Sequence, residues 1–243
     1  MDTDHLVIDL ENISLTYPDG RSVLSGLSFQ LPKVARAGLI GPNGSGKTTL
    51  FHLVMGLVPP SSGSIRLFGR ERKTEKDFRQ ARPKIGLVFQ NADDQLFSPT
   101  VIEDVAFGPL NLGASPARAR EIAQKTLAQL NLSGFEDRIA YRLSGGEKKL
   151  VALATVLAMD PEVLLMDEPT TGLDEATRER IIEVLNQLDK TLLITSHEYD
   201  FLARTTKDIY KMQGGQVRPA GDAALLHPHY HAHTAGDVPH KHS

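Results

Sequence analysis

The chain has 243 residues, which fits one large α/β domain or a domain with a subdomain. Apolar residues make up 40% and charged residues 23%, so a packed core is expected and global disorder is not. The net charge of −3 supplies no basic field for nucleic acid, and the absence of cysteine removes disulfides and thiolate metal sites.

No apolar run approaches the ~20 residues that span a bilayer. The start, Met1-Asp2-Thr3-Asp4-His5, lacks the basic-then-apolar plan of a signal peptide. A soluble cytoplasmic chain is expected, with any membrane role supplied through a partner. Residues 6–10 and 13–17 read as strands that lead into the Pro18-Asp19-Gly20 turn. Residues 23–31 continue an antiparallel sheet, and 37–40 form a short apolar strand. A helix follows over 48–57, then strands over 64–68 and 84–89, each flanked by Gly or Pro.

From residue 91 to 161 the pattern turns helical. Ser115-Pro116 is an N-cap with proline at the first helical position, and Ile122, Leu127 and Leu130 line one face of that helix. A second helix is predicted from Ser144 to about Met159. The unbroken apolar runs 163–166 and 191–195 read as buried strands around a helix over 175–188. Alternating strands and helices around one glycine-rich loop predict a mainly parallel sheet. The residues from His227 onward differ sharply in composition and are expected to form a disordered tail.

Gly41-Pro42-Asn43-Gly44-Ser45-Gly46-Lys47-Thr48 fits G-x-x-x-x-G-K-[ST] at every fixed position, between a predicted strand and a predicted helix. The glycines let successive N–H groups face phosphate oxygens, and the helix N-terminus adds a favourable dipole. Lys47 supplies charge to the β- and γ-phosphates, and the Thr48 hydroxyl is a ligand for Mg²⁺. Asp167 and Glu168 close a buried strand, where ligands bind in such sheets. Asp167 is assigned to the Mg²⁺ shell and Glu168 to the attacking water. One ATP does not need two phosphate cradles. The second glycine-rich segment, Leu143-Ser144-Gly145-Gly146-Glu147, therefore points to a surface that closes over nucleotide held by another subunit.

Lys47, Gln90, the 143–147 segment, Asp167-Glu168, Gly172-Leu173-Asp174 and His197 occur in an order that resembles the ATPase subunit of ATP-binding-cassette (ABC) transporters. The resemblance covers about residues 6–215. It implies a P-loop NTPase core with a mainly parallel sheet, an N-terminal antiparallel β subdomain and a helical signature subdomain over about residues 91–160. The ATPase domain would run over 1–226. It implies that Tyr17 stacks on adenine, although a plain core tyrosine fits the same pattern. It implies that Thr49 joins the phosphate-loop contacts, and that Gln90 touches Mg²⁺ and the attacking water. Ser144, Gly145 and Gly146 would hold the γ-phosphate of ATP on the opposite subunit, Asp174 would lie at the dimer seam, and His197 would contact the γ-phosphate. Three positions depart from the family: Glu147 replaces a common Gln, Leu150 a frequent basic residue, and Glu175 a usual Pro.

The stretch from Gln90 to Val101, continuing through Asp104-Val105-Ala106-Phe107-Gly108-Pro109, is similar to the ATPases of energy-coupling-factor (ECF) transporters, with Ala92 in place of Pro. That resemblance implies two integral partners, a coupling subunit and a substrate-capture subunit. The chain would sit as a homodimer on the cytoplasmic face of a bacterial or archaeal cell membrane. Such systems import vitamins or nickel and cobalt. Six of the nine histidines (His227, His229, His231, His233, His240, His242) lie in the tail. Neutral imidazoles at alternate spacing suit Ni²⁺ or Co²⁺, and the affinity order gives no preference for cobalt over nickel. A solvated terminus without a role is the other reading of that tail. A nickel or cobalt importer is favoured, with nickel ahead. A vitamin importer, another ABC transporter, a soluble ABC ATPase and a metal-delivery protein are the alternatives.

Overall fold

The computed structural model describes residues 5–226, so the tail and its six histidines lie outside the described residues. β1 (Leu6–Thr16) and β2 (Ser22–Pro32) pair antiparallel across the turn at Tyr17, whose carbonyl accepts the Gly20 N–H at 2.9 Å. The two strands predicted before Tyr17 are one bulged strand. Its register shifts between Leu10 and Ile13, where Asn12 takes φ 52 and donates its N–H to Ser28 Oγ at 3.0 Å. A bulge of this kind preserves pairing on both sides. β4 (Ser62–Leu67) and β5 (Arg70–Glu71) complete an antiparallel sheet of order β2-β1-β4-β5.

The second sheet uses β3 (Arg36–Ile40), β6 (Ile85–Val88), β7 (Val163–Asp167), β8 (Thr191–Thr195), β9 (Asp208–Gln213) and β10 (Gln216–Asp222). Its order is β10-β9-β3-β8-β7-β6, parallel throughout except for the β9–β10 hairpin. That hairpin and the short α2 (Glu75–Ala81) are additions to the predicted elements. The hairpin turns on Gly214 and Gly215, both at positive φ, which is the two-residue loop chemistry glycine permits.

The apolar runs of β7 and β8 are unbroken because both faces are covered. Val163 and Leu165 join the core under β1, β2 and α1 (Lys47–Val54), while Leu164 and Met166 face the helices on the other side. These helices are α3 (Val101–Asn111), α4 (Pro116–Gln129), α5 (Gly145–Leu157), α6 (Glu175–Gln187) and α7 (Tyr199–Thr205). Ser115 caps α4 as expected, accepting the Arg118 N–H at 3.3 Å. The buried face of α4 carries Ala119, Ala123, Thr126 and Leu127, with Leu130 at its end; Ile122 is only half-buried. At the start of β3, Arg36 donates to Leu185 O at 3.1 Å and Thr205 O at 2.9 Å. It thereby adds a donor to carbonyls at the ends of α6 and α7, the Leu185 carbonyl also accepting the Leu188 N–H at 3.1 Å.

The seat of α5 on the sheet depends on Gly86 of β6. A Cβ there would lie 2.2 Å from Val156 Cγ1. Gly86→Ala is therefore expected to lower stability by about 1–3 kcal/mol through overpacking. A urea unfolding curve should show the midpoint fall with an unchanged slope.

Candidate functional site

The carboxyl ends of β3, β6, β7 and β8 carry the loop at 41–48, Gln90, Asp167-Glu168 and His197 to one edge of the sheet. A cavity of about 510 Å³ lies there, within the range of small-ligand sites.

In the loop, Gly44 and Gly46 take φ 75 and 107. A Cβ on Gly41 would lie 2.5 Å from Met212 O, so glycine lets β9 pass close behind the loop. Lys47 opens α1 and is buried, and its Nζ donates to Gly41 O at 2.8 Å and Pro42 O at 3.3 Å. Those bonds hold the ammonium over the loop. Ser45 Oγ is buried and has no hydrogen-bond partner among the described residues. Glycines at positive φ, a held ammonium and an unpaired hydroxyl together fit a polyphosphate.

Asp167 is buried with both oxygens occupied. Thr48 Oγ1 donates to Oδ2 at 2.6 Å, and Thr195 Oγ1 donates to Oδ1 at 2.6 Å. Thr48, Asp167 and Gln90 offer a hydroxyl, a carboxylate and an amide oxygen, a donor set suited to a hard divalent cation such as Mg²⁺.

Glu168 is also buried. Its Oε2 accepts from Thr171 Oγ1 at 3.2 Å and from the His197 N–H at 3.3 Å. Oε1 lies 3.4 Å from His197 Nε2, yet that nitrogen is bonded to Asn43 Oδ1 at 3.0 Å. Oε1 therefore has no hydrogen-bond partner among the described residues, which suits an acceptor for a water proton.

The cavity also takes in Arg21, Val23 and Thr171, which the motifs do not flag. Tyr17 stands beside it and does not line it. Its hydroxyl is 3.2 Å from Thr49 Oγ1, and the Arg21 guanidinium lies 5.4 Å above its ring. The signal for Arg21 is the turn itself, since Tyr17 N–H donates to Arg21 O at 3.0 Å and folds the arginine back over the ring.

Ser144, Gly145 and Gly146 lie outside this cavity, at the amino end of α5, with Ser144 and Gly145 exposed. Ser144 and Glu147 form a reciprocal capping box: Glu147 N–H donates to Ser144 Oγ at 3.3 Å and Ser144 N–H to Glu147 Oε2 at 2.8 Å. The Ser144 N–H and side chain, and then Arg138 3.0 Å away, hold the Glu147 carboxyl below its usual range. Asp174 caps α6 by accepting the Thr177 N–H at 2.9 Å. A Cβ on Gly146 would sit 3.7 Å from Asp174 Oδ2, so the glycine segment and Asp174 share one surface.

Among known proteins, the ABC transporter family matches residues 24–171. An ABC transporter ATP-binding protein of Nitratidesulfovibrio vulgaris is 50% identical over 241 residues, covering 99% of this chain and 88% of that one. The energy-coupling factor transporter ATP-binding protein EcfA of Methanothermobacter thermautotrophicus is 42% identical, over 88% of this chain and 70% of that one. Among solved structures, cbiO1 of Clostridium perfringens, part of the ABC transporter complex cbiONQ, superposes with a TM-score of 0.81. It shows 32% identity over 91% of this chain and 90% of its own. A dimeric ATP-binding cassette holding ADP and phosphate gives 0.80 and 27% identity, over 88% and 98%. The matched span takes in the phosphate loop, Gln90, the glycine segment at α5 and the Asp167-Glu168 strand end, and the chain therefore belongs to the ABC transporter family as an ATPase subunit of the energy-coupling-factor and CbiO-like kind.

Proposed function

We propose that this ATPase drives import of a divalent transition-metal ion, nickel ahead of cobalt, and that Glu168 is the residue that acts on the attacking water. The observation that carries the catalytic part is the unpaired, buried Oε1 of Glu168 beside the Thr48–Asp167 bond. The six histidines of 227–242 carry the choice of metal.

The residues divide the work by geometry. Lys47 and the loop N–H groups bind and orient the phosphates. Thr48, Asp167 and Gln90 would hold Mg²⁺, which would supply positive charge to offset that of the phosphates. Glu168 takes a proton from water at Oε1, while Thr171 and the His197 N–H keep Oε2 in place. His197, whose Nε2 bonds Asn43 Oδ1 at 3.0 Å, meets the γ-phosphate once that hydrogen bond is released. The tyrosine ring carries Arg21, so the base is held by an arginine–tyrosine stack with the guanidinium outermost. Ser144, Gly145 and Gly146 complete the site of a second copy, and Asp174 sits at the seam between the copies.

A membrane partner is supported by a second feature. Phe97, Phe107 and Leu112 are exposed around an apolar groove beside α3, and the two phenylalanine rings pack edge to face at 4.8 Å. Among the described residues no helix is long and apolar enough to cross a membrane. In this reading the groove takes an amphipathic helix of the integral coupling subunit, and the chain sits peripherally on the membrane.

Glu168→Gln is expected to keep ATP binding and to lower turnover by about 10²–10⁴-fold. It should also accumulate an ATP-dependent dimer by light scattering. Phe97→Asp should leave ATP hydrolysis by the free chain intact while weakening co-purification with the coupling subunit, as loss of an aromatic anchor worth about 2 kcal/mol or more would do. Deleting residues 227–243 should leave ATP hydrolysis within about twofold, because every residue assigned to the nucleotide site precedes residue 198. The same deletion should abolish the Ni²⁺ titration heat of the isolated chain. Radiometal uptake by the reconstituted complex then tests the cargo: ATP-dependent ⁶³Ni accumulation is expected, and its absence alongside uptake of a vitamin would reverse the assignment.

A further inference from the structure

Glu168 has φ 47, in the left-handed region that residues with a Cβ disfavour. The carboxylate can face the cavity only while that conformation is held. Its N–H is fixed by Thr195, whose carbonyl and hydroxyl both lie at 3.1 Å. Its carbonyl is fixed from a different part of the fold. Lys149 Nζ donates to Glu168 O at 3.0 Å and to Thr171 O at 3.0 Å, so one ammonium bridges both ends of the 168–171 turn. Thr171 in turn supplies the hydroxyl that holds Glu168 Oε2.

Lys149 is half-buried on α5, and burial lowers its ammonium from the ordinary lysine range, with Glu168 and Glu198 acting against that shift. It lies in the second turn from Ser144. Its neighbour Lys148 goes elsewhere, to Asp93 at 2.6 Å in the segment after Gln90. Leu150, where the family often has a basic residue, is buried in the core and reaches nothing polar. Lys149 is therefore the charged link from this end of α5 to the catalytic turn.

We propose that Lys149 is a positioning residue: through the carbonyls of Glu168 and Thr171 it holds the left-handed turn that aims the Glu168 carboxylate, and it ties that aim to the helix that presents Ser144, Gly145 and Gly146 to the second copy. A shift of α5 as its amino end meets the opposite nucleotide moves the ammonium and, with it, the turn. Each chain's own carboxylate thereby registers whether its glycine segment is engaged. The inference rests on the assignment of Glu168 to the attacking water.

The test uses the full chain carrying Lys149→Met, Lys149→Arg or Glu168→Gln. Steady-state ATP hydrolysis is normalised to nucleotide bound per chain. Losing two charge-assisted bonds to the turn should lower kcat about ten- to a hundredfold, with KM for ATP changed by less than about twofold. Lys149→Arg keeps the charge and the donors and should recover most of the rate. Should Lys149→Met not accumulate as folded protein, Lys149→Leu, which also lacks a donor, is read in the same way. A wild-type kcat in Lys149→Met or Lys149→Leu overturns the inference. So does a loss that arginine fails to rescue and that tracks loss of bound nucleotide, since that marks a role in folding alone. Wild-type turnover in Glu168→Gln would remove the assignment beneath it. An inactive Glu168→Gln beside an active Lys149→Met would remove the positioning role alone.

Discussion

The two short hydrogen bonds to Asp167 are the constraint on which the site depends. One comes from Thr48 at the head of α1 and the other from Thr195 at the end of β8. Strand register makes the second possible, because Asp167 and Thr195 are direct partners and Thr195 also pairs with Leu39 of β3. Two strand ends and the head of α1 are thus tied through one carboxylate. A buried carboxylate with unpaired oxygens would be costly, whereas here each oxygen accepts a hydroxyl. The same bonds fix Thr48 relative to Asp167, so the two oxygens proposed as metal ligands are held in place by the fold itself.

Glu168 follows Asp167 directly, yet its surroundings differ. Asp167 is satisfied at both oxygens, whereas Glu168 is satisfied at one and unpaired at the other. The chain achieves this by leaving the strand at Asp167 and turning through a left-handed residue. Two adjacent carboxylates therefore face different tasks without any difference in side-chain chemistry beyond one methylene. Asp167 orients ligands, while Glu168 keeps an acceptor available.

Much of this was legible in the sequence because it is local. The 41–48 loop is contiguous and each fixed residue has one physical reason to be there. Ser144 and Glu147 are three apart, the spacing of a capping box, and the box forms. The apolar runs of β7 and β8 announced strands covered on both faces. What stayed hidden depends on tertiary placement. Arg21 is an ordinary charged residue until the turn folds it over Tyr17. Lys149 looks like a solvated helix lysine until α5 is laid against the Glu168 turn. The hairpin of β9 and β10 was missed because Asp208, Lys211, Gln213 and Arg218 interrupt its apolar pattern, and its position is set by pairing with β3.

The departures from the family pattern at α5 have a local account. A helix amino end that binds an anion carries favourable partial charge, and a carboxylate there competes with the ligand. Glu147 is a carboxylate at the amino end of α5, which is proposed to meet a phosphate, but it is not free. One oxygen closes the capping box on the Ser144 N–H and the other pairs with Arg138. Arg138 is itself seated on the ring of Phe135, 3.6 Å from its centre, which keeps the guanidinium near the helix end. The capping bond is retained, as a glutamine would retain it, and the added charge is offset by an arginine held in place. Leu150 gives up a cation at one position, while Lys149 places an ammonium on the catalytic turn from the adjacent one. At the helix end itself the Glu147 charge is met by the Ser144 N–H and Arg138.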